Sequence, residues 1–135
     1  FGYSPLPPFL TYHVLDAGGA LVHSAEIAVP KATMMHDFMI TRDHAIFMDL
    51  PIVFDLTNLE SPIGWDDTYG ARIGIMPRRG TSSDIRWFEI DNCYVVHFSN
   101  AWDDGDTIEI GKYTIRFEFP DDERQPRLRR GSRAL

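Results

Sequence analysis

An all-β fold is what this sequence predicts, and three observations predict it. Short runs of alternating or wholly apolar residues recur along most of the chain. Turn-forming residues punctuate them at close intervals, and no window of about 11 or more residues carries a convincing period of 3.6. The result is about eight or nine short strands, a spacing shared by sandwiches, barrels and the blades of a propeller. No exact internal repeat aligns, so periodicity gives the class and does not choose among these.

The elements follow in order. FLTYHVLD alternates Leu10, Tyr12 and Val14 against Thr11, His13 and Leu15, and ALVHSAEIAV follows at Gly18-Gly19, a hairpin signal. MMHDFMI and HAIFMDL read as two strands flanking the turn Thr41-Arg42-Asp43. The interval from Thr57 to Gly70, with Pro62, Gly64 and Asp66-Asp67, reads as a loop, with a short helix near Asn58 as its one helical candidate. ARIGIMP resumes the strand pattern, Arg78 to Asp84 turns, and IRWFEI runs to Asp91-Asn92, which turns into CYVVHFS. DTIEIG and KYTIRFEF close the pattern as a hairpin with Gly111 near its tip. Residues 1–119 form one unit. Residues 120–135, PDDERQPRLRRGSRAL, read as a basic disordered tail or a truncated next strand.

Composition bounds the function. A chain of 135 residues with 44% hydrophobic content is one modest globular domain. No apolar run reaches the roughly 18 residues of a membrane-spanning helix. The start, FGYSPLPPFL, lacks the basic region and cleavage site of a secretory signal, and it lacks an initiator methionine, so the expectation is a piece of something larger. The single cysteine, Cys93, cannot form an internal disulfide, which makes a cytoplasmic location the default expectation. Cys93 itself reads as a small apolar side chain, because no nucleophile signature surrounds it. A net charge of −7 argues against nucleic acid, whose phosphates demand a basic face. The charge is uneven: residues 1–119 carry 8 basic and 17 acidic side chains, residues 120–135 carry 5 arginines and 3 acids.

Five histidines carry the candidate chemistry: His13, His23, His36, His44 and His97. None forms an HxH or HExxH pair. His44, beside Asp43 at a turn, reads as solvent-exposed; His13 lies on the less apolar face of its strand; His23 fits a half-buried, hydrogen-bonded role. His36 and His97 stand apart, each set among large apolar residues in TMMHDFMI and CYVVHFSNAW. A buried imidazole needs partners for both nitrogens. A metal with an outer acceptor satisfies that need, and so do a backbone carbonyl and a water. Residue type does not select among iron, zinc, copper and nickel.

Three stretches go further. MMHDFMITRDHAIFMDLPIVFD, YGARIGIMPRRG and WFEIDNCYVVHFSNAWDDGDTI resemble, in order and spacing, signature segments of the carotenoid cleavage oxygenases, the group of carotenoid and lignostilbene dioxygenases and the retinal pigment epithelial membrane protein. FGYS and YHVLDAGGALV resemble the strands before them, so the likeness covers roughly residues 1–117. The resemblance implies about two blades of a seven-bladed β-propeller whose axis holds one non-haem Fe(II) bound by four histidines. His36, in MMHDF, matches the second ligand, and His97, in VVHFSNAW, matches the third. The first ligand's motif belongs before FGYS and the fourth lies far beyond the third. His13, His23 and His44 match no ligand position. Asp37, beside His36, is expected to face the other way and bond backbone or a turn.

The implied reaction is oxidative cleavage of a carbon–carbon double bond in a carotenoid, apocarotenoid or stilbene by O2, giving two carbonyl products. The implied partners are therefore an apolar conjugated small molecule and O2, with peripheral membrane contact open for a full-length enzyme. An isomerase on the same iron scaffold and a non-catalytic β module are the alternatives. Phe38, Phe47, Trp87, Phe98 and Trp102 are candidates for a tunnel by composition, with core packing as the first reading. With two of four ligands, the chain alone is expected to be inactive or nearly so and to expose sheet edges that invite self-association.

Overall fold

The computed structural model describes residues 1–98, 101–104, 107–110, 113–116 and 129–130. Three antiparallel sheets and one extra hairpin account for its regular structure. β1 (Gly2–Tyr3), β2 (Leu10–Leu15) and β3 (Leu21–Glu26) form the first sheet, in that order. β4 (Met39–Ile40), β5 (His44–Asp49), β8 (Ala71–Pro77) and β9 (Arg86–Ile90) form the second. β6 (Ile52–Phe54) pairs with β7 (Ile63–Trp65). β10 (Ala101–Asp104), β11 (Thr107–Ile110), β12 (Tyr113–Arg116) and β13 (Arg129–Arg130) form the third sheet.

The β2–β3 hairpin forms where the sequence places it. The Asp16 carboxylate accepts from the backbone N–H of Gly18 and Ala20, and Gly19 takes φ +82°, a conformation that costs glycine nothing. The turn before β5 is built by Thr41, whose hydroxyl accepts from the N–H of His44.

The second sheet is the centre of the molecule, and residue parity explains why. Along β5 and β8, Ile46, Met48, Ile73 and Ile75 point to one face and join Phe88, Ala101 and Ile108 in one core. Ala45, Phe47 and Met76 point to the other and meet Leu10, Tyr12 and Ala25 of the first sheet and Ile27 just beyond β3. A strand buried on both faces reads as a near-continuous apolar run, and Ala45 to Met48 within HAIFMDL is one. The first and third sheets thus lie on opposite faces of the second. Cross-strand from Phe47, Gly74 leaves room for Trp87: a Cβ there would sit 2.5 Å from the indole.

Four expectations are corrected. MMHDFMI is a strand only at Met39–Ile40, because the N–H of Phe38 bonds the Asp37 carboxylate instead of a ladder carbonyl. CYVVHFS forms no strand over 93–98; its Cys93, Tyr94, Val95 and Phe98 pack irregularly on the first core. No helix forms near Asn58, where Asp55 caps a tight turn through Thr57; among the described residues the one helical turn is the 3-10 segment Ser82–Asp84. The interval 57–70 is not all loop, since it holds β7, whose three exposed residues offer no apolar alternation. The expected Gly111 tip and residues 117–128 and 131–135 lie outside the described residues; Arg129–Arg130 pair with β12.

Candidate metal centre

His36 lies in the irregular stretch between the Thr33–Val53 bridge and β4. Met35 and Met39 on either side are buried at 3% and 5%, which turns His36 outward. His97 lies in the irregular stretch before β10 and its side chain is 73% exposed. Both imidazoles were expected to be buried on strands; among the described residues both are exposed, and neither histidine lies on a strand.

The fold nevertheless brings them together. Their ring centroids are 5.0 Å apart with planes at 69°. Two fasteners bracket the pair. The Tyr94 hydroxyl donates to the Met34 carbonyl at 3.1 Å, and the Phe98 N–H donates to Asp37 Oδ2 at 3.1 Å. Met34, His36 and Asp37 therefore meet Tyr94, His97 and Phe98 in order, so the two segments run past each other in the same direction. Asp37 bonds backbone, as expected, but it does not face away from the pair: off any strand, its Oδ2 reaches the His97 segment and lies 3.8 Å from His97 Nδ1. Neither imidazole makes a hydrogen bond among the described residues, and no third His, Cys, Asp or Glu among them completes a metal-holding group.

The other histidines are held structurally. His13 bonds the hydroxyls of Thr11 and Ser24, and His23 Nε2 bonds the Gly80 carbonyl at 2.9 Å. His44 departs from its expected exposure: its Nδ1 lies 3.0 Å from Asp103 Oδ1, tying the Thr41–His44 turn to β10. Burial alone would raise the Asp103 carboxyl, but bonds from His44, Thr41 and the Asp43 N–H outweigh it and hold the group below its ordinary value. Cys93 is half-buried, and burial with nearby Asp91 pushes its thiol up, as a packing cysteine requires and a nucleophile does not.

The aromatic candidates divide. Phe47 is fully buried and stacks on Phe38 at 6.1 Å; Trp87 lies under the Arg72 guanidinium at 4.1 Å; Phe98 packs on the first core; Trp102 is 49% exposed.

One group escaped sequence reading. Asp49, with no exposure, accepts from Thr33, from Tyr69 and from Arg72 Nε, and Arg72 Nη2 lies 2.8 Å from Oδ2. Burial and the Asp49 charge push the Tyr69 hydroxyl up. The available signal was an Asp closing an apolar strand with an Arg in the next, which pairing sets directly opposite it.

A family model described as retinal pigment epithelial membrane protein matches residues 1–133. The chain belongs to this family, the carotenoid cleavage oxygenases. A carotenoid 9,10(9',10')-cleavage dioxygenase of Crocus sativus is 40% identical over 126 residues, covering 90% of this chain and 23% of that protein. An isoeugenol monooxygenase of Pseudomonas nitroreducens is 36% identical over 125 residues, covering 88% of this chain and 26% of that protein. The crystal structure of a Pseudomonas brassicacearum lignostilbene dioxygenase superposes with a TM-score of 0.66 at 25% identity, covering 78% of this chain and 22% of that one. A cobalt-substituted Synechocystis apocarotenoid oxygenase gives 0.63 at 24% identity over 84% of this chain and 24% of that one, a likeness of fold. The chain thus spans about a quarter of the length of these carotenoid cleavage oxygenases. The expected all-β class holds, and the family's fold is the β-propeller.

Proposed function

We propose that this chain is a sector, about two blades of seven, of a non-haem iron(II) dioxygenase that cleaves a C=C bond of an apolar conjugated substrate. The relatives' names support the reaction class: they are carotenoid and lignostilbene dioxygenases and an isoeugenol monooxygenase. The observation that carries the reading to particular residues is the meeting of His36 and His97.

The donor set fits the metal. Two imidazoles on one ion, with metal–nitrogen bonds of about 2.1 Å, hold their ring centres about 4.6–5.3 Å apart for bond angles between square and tetrahedral. The observed separation is 5.0 Å. Among the described residues the nitrogens make no hydrogen bond, and neutral imidazole suits ferrous iron. His36 and His97 would hold the ion from two adjoining segments, as two of four histidine ligands. Iron, when bound, supplies the position at which dioxygen is activated.

The rest of the chain supports that pair. Met35, Met39 and the stacked Phe38 and Phe47 seat the His36 segment on the central sheet. Phe98 and Tyr94 seat the His97 segment on the first core.

An anaerobic ferrous titration tests the reading. The expected result is weak binding by the 135-residue chain, lost in both His36→Ala and His97→Ala. Binding that survives both substitutions, or tight one-to-one binding by the chain alone, contradicts it.

A further inference from the structure

We propose that Asp37 is a positioning residue: its carboxylate sets the register of the His97 segment against the His36 segment. The inference rests on reading those histidines as ligands and adds what aligns them. The two carboxylate oxygens divide the work. Oδ1 accepts from the N–H of Phe38 at 2.9 Å, which fixes Asp37 to its own backbone next to His36. Oδ2 accepts from the N–H of Phe98 at 3.1 Å, the residue immediately after His97. Each histidine is therefore the chain neighbour of one end of a single bridge. Asp37 and Phe98 are 61 positions apart, the same offset as His36 and His97, so the bridge holds the two rings in step.

The chemistry calls for a carboxylate. Two N–H donors arrive at two different oxygens, and both bonds are charge-assisted, roughly twice as strong as neutral ones. Asparagine has one acceptor oxygen, and its NH2 would confront the other N–H. The same Oδ2 lies 3.8 Å from His97 Nδ1, so the ring turns its Nδ1 edge toward a negative charge, leaving Nε2 on its other edge. No ladder hydrogen bonds hold residues 93–98, which makes this bridge and the Tyr94–Met34 bond the polar ties between the segments among the described residues.

The test is proton NMR on the metal-free chain and on Asp37→Ala and Asp37→Asn. In the unsubstituted chain we expect a nuclear Overhauser contact between the His36 and His97 rings and slow exchange of the Phe98 amide. Asp37→Ala should lose the ring contact and speed Phe98 exchange at least tenfold, while cross-strand contacts between Ile46 and Ile75 persist. Asp37→Asn, keeping one acceptor, should fall between. If Asp37→Ala loses the Ile46–Ile75 contacts as well, Asp37→Asn decides. Unsubstituted-strength ring contacts in a folded variant, or none in the unsubstituted chain, overturn the proposal. No metal is present, so the outcome stands apart from the ferrous titration that judges the ligand reading.

Discussion

Replacing Arg72 by methionine isolates the buried charge that anchors the central sheet. Asp49 has no exposure, and among the described residues Arg72 supplies its only cation, with Nη2 at 2.8 Å and Nε at 2.9 Å. Methionine keeps much of the aliphatic stem and removes the charge. Among the described residues the carboxylate then keeps the hydroxyls of Thr33 and Tyr69. Removing one member of a buried pair costs about 3–5 kcal/mol. The Arg72 side chain is 27% exposed, so water reaches the vacated end and the cost falls to the low end of that range, about 3 kcal/mol. Losing the guanidinium over Trp87 adds about 0.5–1 kcal/mol. For a chain of this size the sum lowers Tm by roughly 10–15 °C. Urea unfolding followed by tryptophan fluorescence measures it. Asp49→Asn alone should cost about 1–3 kcal/mol, and the double variant should fall short of the summed single costs by at least about 1 kcal/mol. A cost for Arg72→Met under about 1 kcal/mol, or strict additivity, refutes the reasoning. The effect reaches the candidate site as well, because Thr33, which donates to Asp49, lies three residues before His36.

Other outcomes follow from the same geometry. Gly74→Ala places a methyl 2.5 Å from the Trp87 ring, and thermal melts should show a loss of about 1–3 kcal/mol as the indole is displaced. Asp66, bonded by Lys31 and by both the hydroxyl and N–H of Thr68, is held at about 2 against an ordinary 3.8. A carboxylate lowered on folding stabilises the native state above its unfolded value, and that contribution vanishes as pH falls through the folded one. Tm should therefore drop between about pH 4 and pH 2, and Lys31→Ala should move the Asp66 titration upward when followed by carboxyl NMR. The raised Cys93 thiol should react with a disulfide reagent at pH 7 several-fold more slowly than free cysteine, reaching the free rate only in urea.

Much of the fold was legible because its strongest signals are local. HAIFMDL and ARIGIMP are mostly apolar runs, broken only by His44, Asp49 and Arg72, and each forms the doubly buried strand its composition demands. Gly18-Gly19 marked its hairpin because a positive φ is required there. The segments that carry the histidines were misread for a physical reason. Their apolar residues do reach the cores, but their backbone N–H groups bond the Asp37 carboxylate, and the sequence does not display that exchange of partner. β7 was missed because three exposed residues around a glycine have no face to reveal. His44 lost its expected exposure to Asp103, a partner 59 positions away that no window reaches. The pairing of His36 with His97 came from family likeness and not from spacing, since an offset of 61 residues matches no short metal motif.

Cobalt(II) added to the isotope-labelled chain puts the shared ion to the most direct trial. The account predicts that the His36 and His97 ring signals shift together at the same metal ratio, and that His36→Ala abolishes the response of His97. Independent titration of the two rings, or a cobalt response centred on His13, His23 or His44, contradicts it.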